Sequence, residues 1–379
     1  MKFKSFFQKL CVTIFVFALF LLTVSAASPS VAFKLNASLC DSVRNFLSRI
    51  TSLFRFSVFE ASVIFSPIII FFVIRYIGKE KGKSARLRFM SVLSVLSLIP
   101  TLYVFTLAIP NKAESKAETL LQTDVKIKDE DVIFSAMKLL KFVNKFPECN
   151  EKAPTFSKIR DELTRSYTSI LNEKETFPRI KPLLSSKIMS YTGILALYSF
   201  PTGEVNINTE IPEYMIPFTV AHEYAHCIGA ASEGEANFLA FIAAVKSENE
   251  YIRYSGALCA LEYLLADLYC RAPDSYSEIY SALSERAKGD MLSYTEYSKR
   301  YQNGIIYYLS DKLNSHYLEK HDPHGKASYS AAVKLISSYI KTNNISILRI
   351  KYSKTTVFRS IEWDNSLYTA ESRSAVKFR

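Results

Sequence analysis

Residues 216–229 read Ile216-Pro217-Phe218-Thr219-Val220-Ala221-His222-Glu223-Tyr224-Ala225-His226-Cys227-Ile228-Gly229, and Ser232-Glu233-Gly234-Glu235-Ala236-Asn237 follows almost at once. The apolar lead-in and the glycine one turn after His226 predict a helix over about 214–229. Ser232 with Glu235 three positions on has the spacing of a capping box, so a second helix begins there. Two helices joined by so tight a turn return the chain toward the histidines.

On a helix, residues four apart share one face, so His222 and His226 can offer two imidazole nitrogens to a single Zn²⁺. The chain has only five histidines, and two of them fall in this arrangement. Glu223, one position round, is within reach of a metal-bound water and is the candidate general base. The third ligand is open between Glu233 and Glu235. A capping role for Glu235 leaves Glu233 the freer carboxylate and the preferred ligand, with Asn237 one turn on as a partner behind the ligands. A fourth position left to water and substrate is what a catalytic zinc requires. Tyr251, Arg253 and Tyr254 are candidate oxyanion donors by proximity in sequence alone. His316, His321 and His324, around Asp322, form a looser group that reads as solvated polar loop.

Around the motif, the pattern predicts an α-rich α+β unit over 111–342, a zincin-like domain with a small β-hairpin or sheet. Helices are expected at 132–146, 156–172, 233–246, 249–270, 295–318 and 326–341. The clearest strands are Gly193 to Phe200 and Glu204 to Asn208, a hairpin about Pro201-Thr202-Gly203. Its edge could pair with an extended peptide, with Asn206 and Asn208 flanking the groove. The tail, 343–379, differs in showing β-branched alternation at 345–352 and 355–361.

Before this domain lie membrane signals. Residues 1–27 form a signal anchor or first span, with Lys2, Lys4 and Lys9 ahead of an apolar run from Leu10 to Val24. Within 58–110, Val58 to Ile77 and Met90 to Ile109 are each long enough to cross a bilayer. The loop between them, 75–89, holds six basic residues and one acidic one, which places it in the cytoplasm and the large domain outside, in a multi-pass membrane protein. Between the first two spans, in 28–57, Leu39, Val43, Phe46, Leu47, Ile50, Leu53 and Phe54 recur at helical spacing. That stripe fits a helix lying in the membrane interface or one packed on the chain's own spans. Glu60, near the start of a span, is either a functional acid or one that reaches the outer interface.

The net charge of +11 does not indicate nucleic acid. Residues 1–110 hold 13 Lys/Arg against three acids, which leaves 34 basic and 33 acidic residues in the rest. The expected partners are therefore a peptide or protein substrate and the lipid bilayer, with anionic lipid attracted to the basic loop. Six scattered cysteines without a repeated spacing indicate no disulfide framework and read as free thiols.

The segments Thr192-Gly193, Pro201 to Asn206, Pro217-Phe218-Thr219, Ala221 to His226, Gly229, Glu233 to Ala240 and Arg253-Tyr254-Ser255-Gly256, and more loosely Tyr307 to Leu318, resemble a bacterial membrane protein family of unknown function with an HExxH zinc-peptidase-like motif. That family is similar to the gluzincin membrane metallopeptidases, the group of the CAAX prenyl protease and the antibiotic-sensing membrane peptidases. The resemblance implies a glutamate ligand followed four residues later by an aspartate. Glu233 and Asn237 occupy those positions, with Asn in place of Asp and a shorter interval after His226.

The expectation is a membrane-anchored metalloendopeptidase with one Zn²⁺ per chain, hydrolysing peptide bonds through a zinc-bound water with Glu223 as base. The alternative is a catalytically silent sensor or scaffold that keeps the zinc fold.

Overall fold

The computed structural model describes residues 2–78, 82–121, 126–146, 152–230, 232–321 and 328–343. The expected β-branched alternation of the tail, residue 231, and Asp322 and His324 lie outside them.

The N-terminal part is helical: α1 (Lys2–Ala27), the amphipathic α2 (Asp41–Thr51), α3 (Val58–Gly78) and α4 (Gly82–Leu96), after which helical turns continue to Lys112. Among the described residues, three helices are long and apolar enough to cross a membrane, within Phe6–Ala27, Val58–Tyr76 and Arg86–Leu121. Their apolar side chains are mostly exposed, as in Phe72 and Ile74 on α3, which is the surface lipid would cover. A small core of Ala18, Cys40, Val104, Phe105 and Ile109 joins the first and third of these helices to the residues just before α2.

The large domain follows with α5 (Lys116–Leu121), α6 (Asp129–Val143), α7 (Phe156–Leu171), β1 (Ile180–Pro182), α8 (Ser186–Thr192), β2 (Ala196–Ser199) and β3 (Glu204–Ile207). Then come α9 (Ile216–Cys227), α10 (Glu233–Val245), α11 (Glu250–Arg271), α12 (Pro273–Ser281), α13 (Glu285–Tyr301), α14 (Ile305–His321) and α15 (Ser328–Thr342). The expected hairpin is the β2–β3 pair, antiparallel with Tyr198 opposite Val205. β1, which periodicity did not reveal, adds in parallel to β3, giving the order β1-β3-β2 and leaving β2 at an edge. The helix expected over 295–318 is two: α13 ends at Tyr301, and α14 starts after Gly304.

The core is built around α10, whose residues from Gly234 to Val245 are all buried, so it reads as apolar all round rather than as a stripe. α9, α11 and α15 surround it, the last through Tyr339 against Phe238. Gly256 lets α11 approach closely, because a Cβ there would lie 2.4 Å from the Ala244 Cβ. One residue earlier, the Ser255 hydroxyl accepts the Phe218 backbone N–H at 3.1 Å, satisfying a donor in the first turn of α9. Ser255 therefore seats the histidine helix, and Gly256 seats α10 against the same stretch of α11.

The domain and the second span exchange caps. Glu204 on β3 accepts the backbone N–H groups of Val58 and Phe59 at 3.0 and 2.8 Å, the first turn of α3. Glu60, in that turn, accepts those of Leu184 and Ser185 at 3.0 and 2.6 Å, just ahead of α8. Glu60 is thus buried and docks the span to the domain; it neither reaches toward solvent nor stands free as an intramembrane acid. Lys181 on β1 is ion-paired with Glu204 and donates to the Thr51 carbonyl at 2.8 Å.

α2 is turned opposite to a soluble helix. Its polar residues face the domain, where the Ser48 and Thr51 hydroxyls donate to the carbonyls of Gly203 and Thr202 and Arg44 is buried. Phe46 and Ile50, with Leu53 beyond the helix end, are left exposed. A second exposed apolar face comprises Leu184 and Ile188 on the α8 side and Ile305, Ile306, Leu309 and Leu313 on α14. The Ser310 hydroxyl donates to the Thr192 carbonyl at 2.8 Å and joins those two helices.

The five cysteines among the described residues are free thiols. Cys149 lies outside them.

Candidate metal centre

α9 is held by α7 and by the segment before β1. The Tyr167 hydroxyl donates to the Ala221 carbonyl at 2.7 Å, and the Tyr224 hydroxyl donates to the Pro178 carbonyl at 3.0 Å. The Tyr224 ring stacks on Phe177 with centroids 4.1 Å apart. With Tyr224 pinned to the core, the face bearing His222 and His226 is fixed in rotation.

Gly229 ends the helix with a φ of +90°, a conformation that favours glycine. A Cβ there would also meet Asn36 and Arg44 within about 3 Å. The turn swings the Ala230 carbonyl back to 2.8 Å from His226 Nδ1. The chain re-enters a helix at Ser232, whose hydroxyl accepts the Glu235 backbone N–H at 3.4 Å.

The structure brings His222, His226 and Glu233 together, with one potential ligand atom from each within 4.8 Å of the others. His222 Nε2 and His226 Nε2 are 3.1 Å apart. The Glu233 carboxylate oxygens lie 3.2 Å from the first and 3.7 Å from the second. His222 Nδ1 is 2.8 Å from Asn237 Oδ1, which also accepts the Tyr263 hydroxyl at 3.1 Å. An amide oxygen can only accept, so Nδ1 of His222 carries the proton in this pairing; the Ala230 carbonyl imposes the same tautomer on His226. Nε2 is then the nitrogen that each ring turns toward the Glu233 carboxylate.

The charges of the cluster favour a second proton on His222, on the Nε2 that faces Glu233, the position a metal ion would take. Burial works against a charge on His222, but its hydrogen bond to Glu233 carries its pKa up to about 9. Burial likewise opposes ionised Glu233, and the two imidazoles nevertheless bring it down to about 2. Glu223 is buried beside them, its pKa raised by desolvation against the pull of both histidines, with the Tyr198 backbone N–H of β2 also bonding to it. The Glu223 carboxylate therefore sits between the histidine pair and the sheet edge.

Glu235 is elsewhere. Its carboxylate accepts the Ser115 hydroxyl at 3.0 Å and the Ala117 backbone N–H at 3.2 Å, capping α5 instead of returning a bond to Ser232. The candidate oxyanion donors are not brought to the cluster. The Tyr254 hydroxyl donates to Asp290 at 2.6 Å, Arg253 lies over the Phe142 ring, and Tyr251 is buried. On α11 they precede Tyr263, the residue that does reach the cluster, by nine to twelve positions, roughly 14–18 Å along the axis. Asn206 and Asn208 do not flank an open groove either. Both are fully buried, and Asn208 donates to Ser190 and to the Ile194 carbonyl, each at 3.0 Å. His316 is on α14, in a side chain exposed to solvent.

Tyr263, the Ala230 carbonyl and the Tyr198 N–H were not among the residues singled out by the sequence. Each reaches the cluster through tertiary placement, and no local motif announces it.

The chain is thus a mostly helical protein with candidate membrane spans and a half-buried His-His-Glu cluster beside the edge of a small sheet. It belongs to a protein family of unknown function, DUF3810, which matches residues 37–337. That match runs from the approach to α2 through the domain core, so it takes in the second and third candidate spans together with the cluster. Neither a curated protein nor a solved structure matches the chain.

Proposed function

We propose that the protein is a membrane-anchored zinc metallopeptidase that cleaves membrane-proximal peptide bonds, with His222, His226 and Glu233 as ligands and Glu223 as general base. The observation that carries this reading is the spacing of donors whose other ring nitrogens are already occupied. Two ligand atoms about 2.0–2.1 Å from a tetrahedral zinc lie roughly 3.3–3.4 Å apart. The two imidazole Nε2 atoms, 3.1 Å apart, lie close to that value, and the carboxylate faces both, one oxygen 3.2 Å from His222 Nε2 and the other 3.7 Å from His226 Nε2. Histidines kept for packing alone have no need of two ordered Nδ1 partners and a shared carboxylate.

When bound, zinc supplies Lewis acidity and a nucleophile available near neutral pH. The protein's own groups would do the rest. Glu223 accepts a proton from the attacking water and hands it to the leaving amine; its buried setting favours the protonated form it needs midway. Asn237 and the Ala230 carbonyl hold the imidazoles in one tautomer. The unpaired edge of β2 offers backbone groups to an extended peptide, and the Tyr198 N–H keeps Glu223 beside that edge. Tyr263, sharing Asn237 with His222, is a positioning residue.

The resemblance to gluzincin membrane peptidases supports the same assignment, since Glu233 and Asn237 hold the positions of the third ligand and its follower. An asparagine oxygen orients His222 without adding charge. Membrane-proximal substrates are favoured by the apolar faces of α2, α8 and α14, which lie on the side where α3 leaves the domain. The basic loop between the second and third candidate spans supports an extracytoplasmic side for the domain.

The test is cleavage by the full-length chain in nanodiscs, supplied with zinc and a library of single-span peptides with exposed flanks, read by mass spectrometry. Cleavage is expected, falling at least about 100-fold in Glu223→Gln. Cleavage undiminished in that variant contradicts the assignment.

A further inference from the structure

A pocket of about 280 Å³ opens between α2 and the segment before β1, lined by Asn45, Arg49 and Ser52 on one side and by Arg160 and Arg179 on the other. No carboxylate is among its lining residues. Arg160 is paired with its neighbour Asp161 at 2.9 Å, whereas Arg49 and Arg179 are exposed. The Arg179 backbone N–H donates to the Ser52 hydroxyl at 3.3 Å, which ties the two walls together. Two exposed arginines lining one hollow, with Arg160 held beside them by Asp161 and an amide and a hydroxyl in the walls, make a setting for a phosphate monoanion or diester, since the guanidinium fork matches phosphate oxygens in pairs.

Its position narrows the ligand. The same helix presents Phe46, 62% exposed, and Ile50, 44% exposed, outward, and Leu53, just past its end, is 81% exposed. Six residues after Ser52 the chain enters α3, a candidate span, whose first turn is fixed to the sheet by Glu204. A pocket so close to the point where a span leaves the bilayer lies at headgroup depth, with apolar side chains beside it to enter the acyl region. A soluble phosphate compound or a nucleic acid has no use for that apolar flank.

We propose that this pocket binds the phosphate of an anionic phospholipid in the leaflet facing the domain, held chiefly by Arg49 and Arg179, with the acyl chains running beside Phe46, Ile50 and Leu53. The bound lipid would fix the tilt of α2 on the membrane. Because α2 packs through Ser48 and Thr51 on the β2–β3 turn, the lipid would also set the height of the sheet edge above the bilayer. The proposal does not depend on a metal.

The full-length protein in mild detergent should bind fluorescent phosphatidylglycerol, with unlabelled phosphatidylglycerol competing and phosphatidylcholine not competing. Arg49→Ala with Arg179→Ala should weaken binding about tenfold or more, while Lys288→Ala with Lys299→Ala, on α13 and outside the pocket's lining, should leave it within about twofold. If the double variant at 49 and 179 melts lower than wild type, Arg49→Gln alone gives the same reading. Unchanged affinity in the pocket variants, equal competition by phosphatidylcholine, or displacement by inorganic phosphate at the same concentration as phosphatidylglycerol would each overturn the proposal.

Discussion

Glu60 and Glu204 cap each other's elements: the carboxylate of the span residue Glu60 closes the turn before α8, and that of the strand residue Glu204 closes the first turn of α3. A membrane helix tied in this way cannot swivel independently of the sheet. β3 pairs with β2, and the Tyr198 N–H of β2 bonds to Glu223, so the candidate span and the candidate site are joined through one sheet.

Removing Glu204 leaves Lys181, only 1% exposed, as a buried charge without its carboxylate, and also strips the cap from α3. Glu204→Ala should therefore cost roughly 3–5 kcal/mol, seen as a large fall in the melting temperature of the detergent-solubilised protein. Glu60→Ala, which removes two backbone partners but strands no opposite charge, should lower it less. The reverse order would mean that Glu204 is not the anchor of the span.

Glu233 and Glu235 separate by function. Glu233→Gln should weaken zinc binding strongly with little change in melting of the metal-free protein. Glu235→Gln should leave zinc affinity within about twofold while loosening α5, since it loses charge-assisted bonds to Ser115 and Ala117. Isothermal titration with zinc and a thermal melt on each variant decide between them.

Asn237→Ala removes the acceptor that orients His222. Zinc affinity should fall about 10–100-fold, and Tyr263→Phe, which keeps that acceptor, should fall far less. Equal losses would transfer the orienting role to the tyrosine.

Glu262 is buried on α11 and accepts the Tyr214 hydroxyl at 2.7 Å. Burial pushes its pKa up to about 8 from an ordinary 4.5. Between those values the folded protein holds a proton that the unfolded chain has lost. The stability it contributes is complete below about pH 4.5 and declines as the pH rises to about 8. Glu262→Gln should flatten the fall in melting temperature over that window and raise it most near pH 8, in melts at half-unit intervals. A decline of unchanged slope in the variant would show that other groups cause it.

Much of the site was legible because it is local. The histidine pair, the stop at Gly229 and the cap at Ser232 follow one another at steps of about one helical turn, and helix periodicity fixes their relation. The preference for Glu233 rested on giving Glu235 a capping role, and Glu235 does cap, but at α5, more than a hundred residues earlier. What could not be read is what long-range packing decides. Tyr263 was passed over for Tyr251, Arg253 and Tyr254 because nearness in sequence says nothing of which turn of α11 meets the cluster. The apolar stripe of α2 was visible, whereas the use of Ser48 and Thr51 as its docking face depends on a turn about 150 residues away. β1 is three residues long and pairs in parallel, too short to show a period.

The measurement closest to the central claim is the zinc content of the purified full-length chain, by elemental analysis, in wild type, Glu223→Gln and His226→Ala. About one zinc per chain in the first two and none in the third is the result predicted. Stoichiometric zinc retained by His226→Ala, or none in a folded wild type given zinc, would contradict the account and leave the cluster a feature of a scaffold.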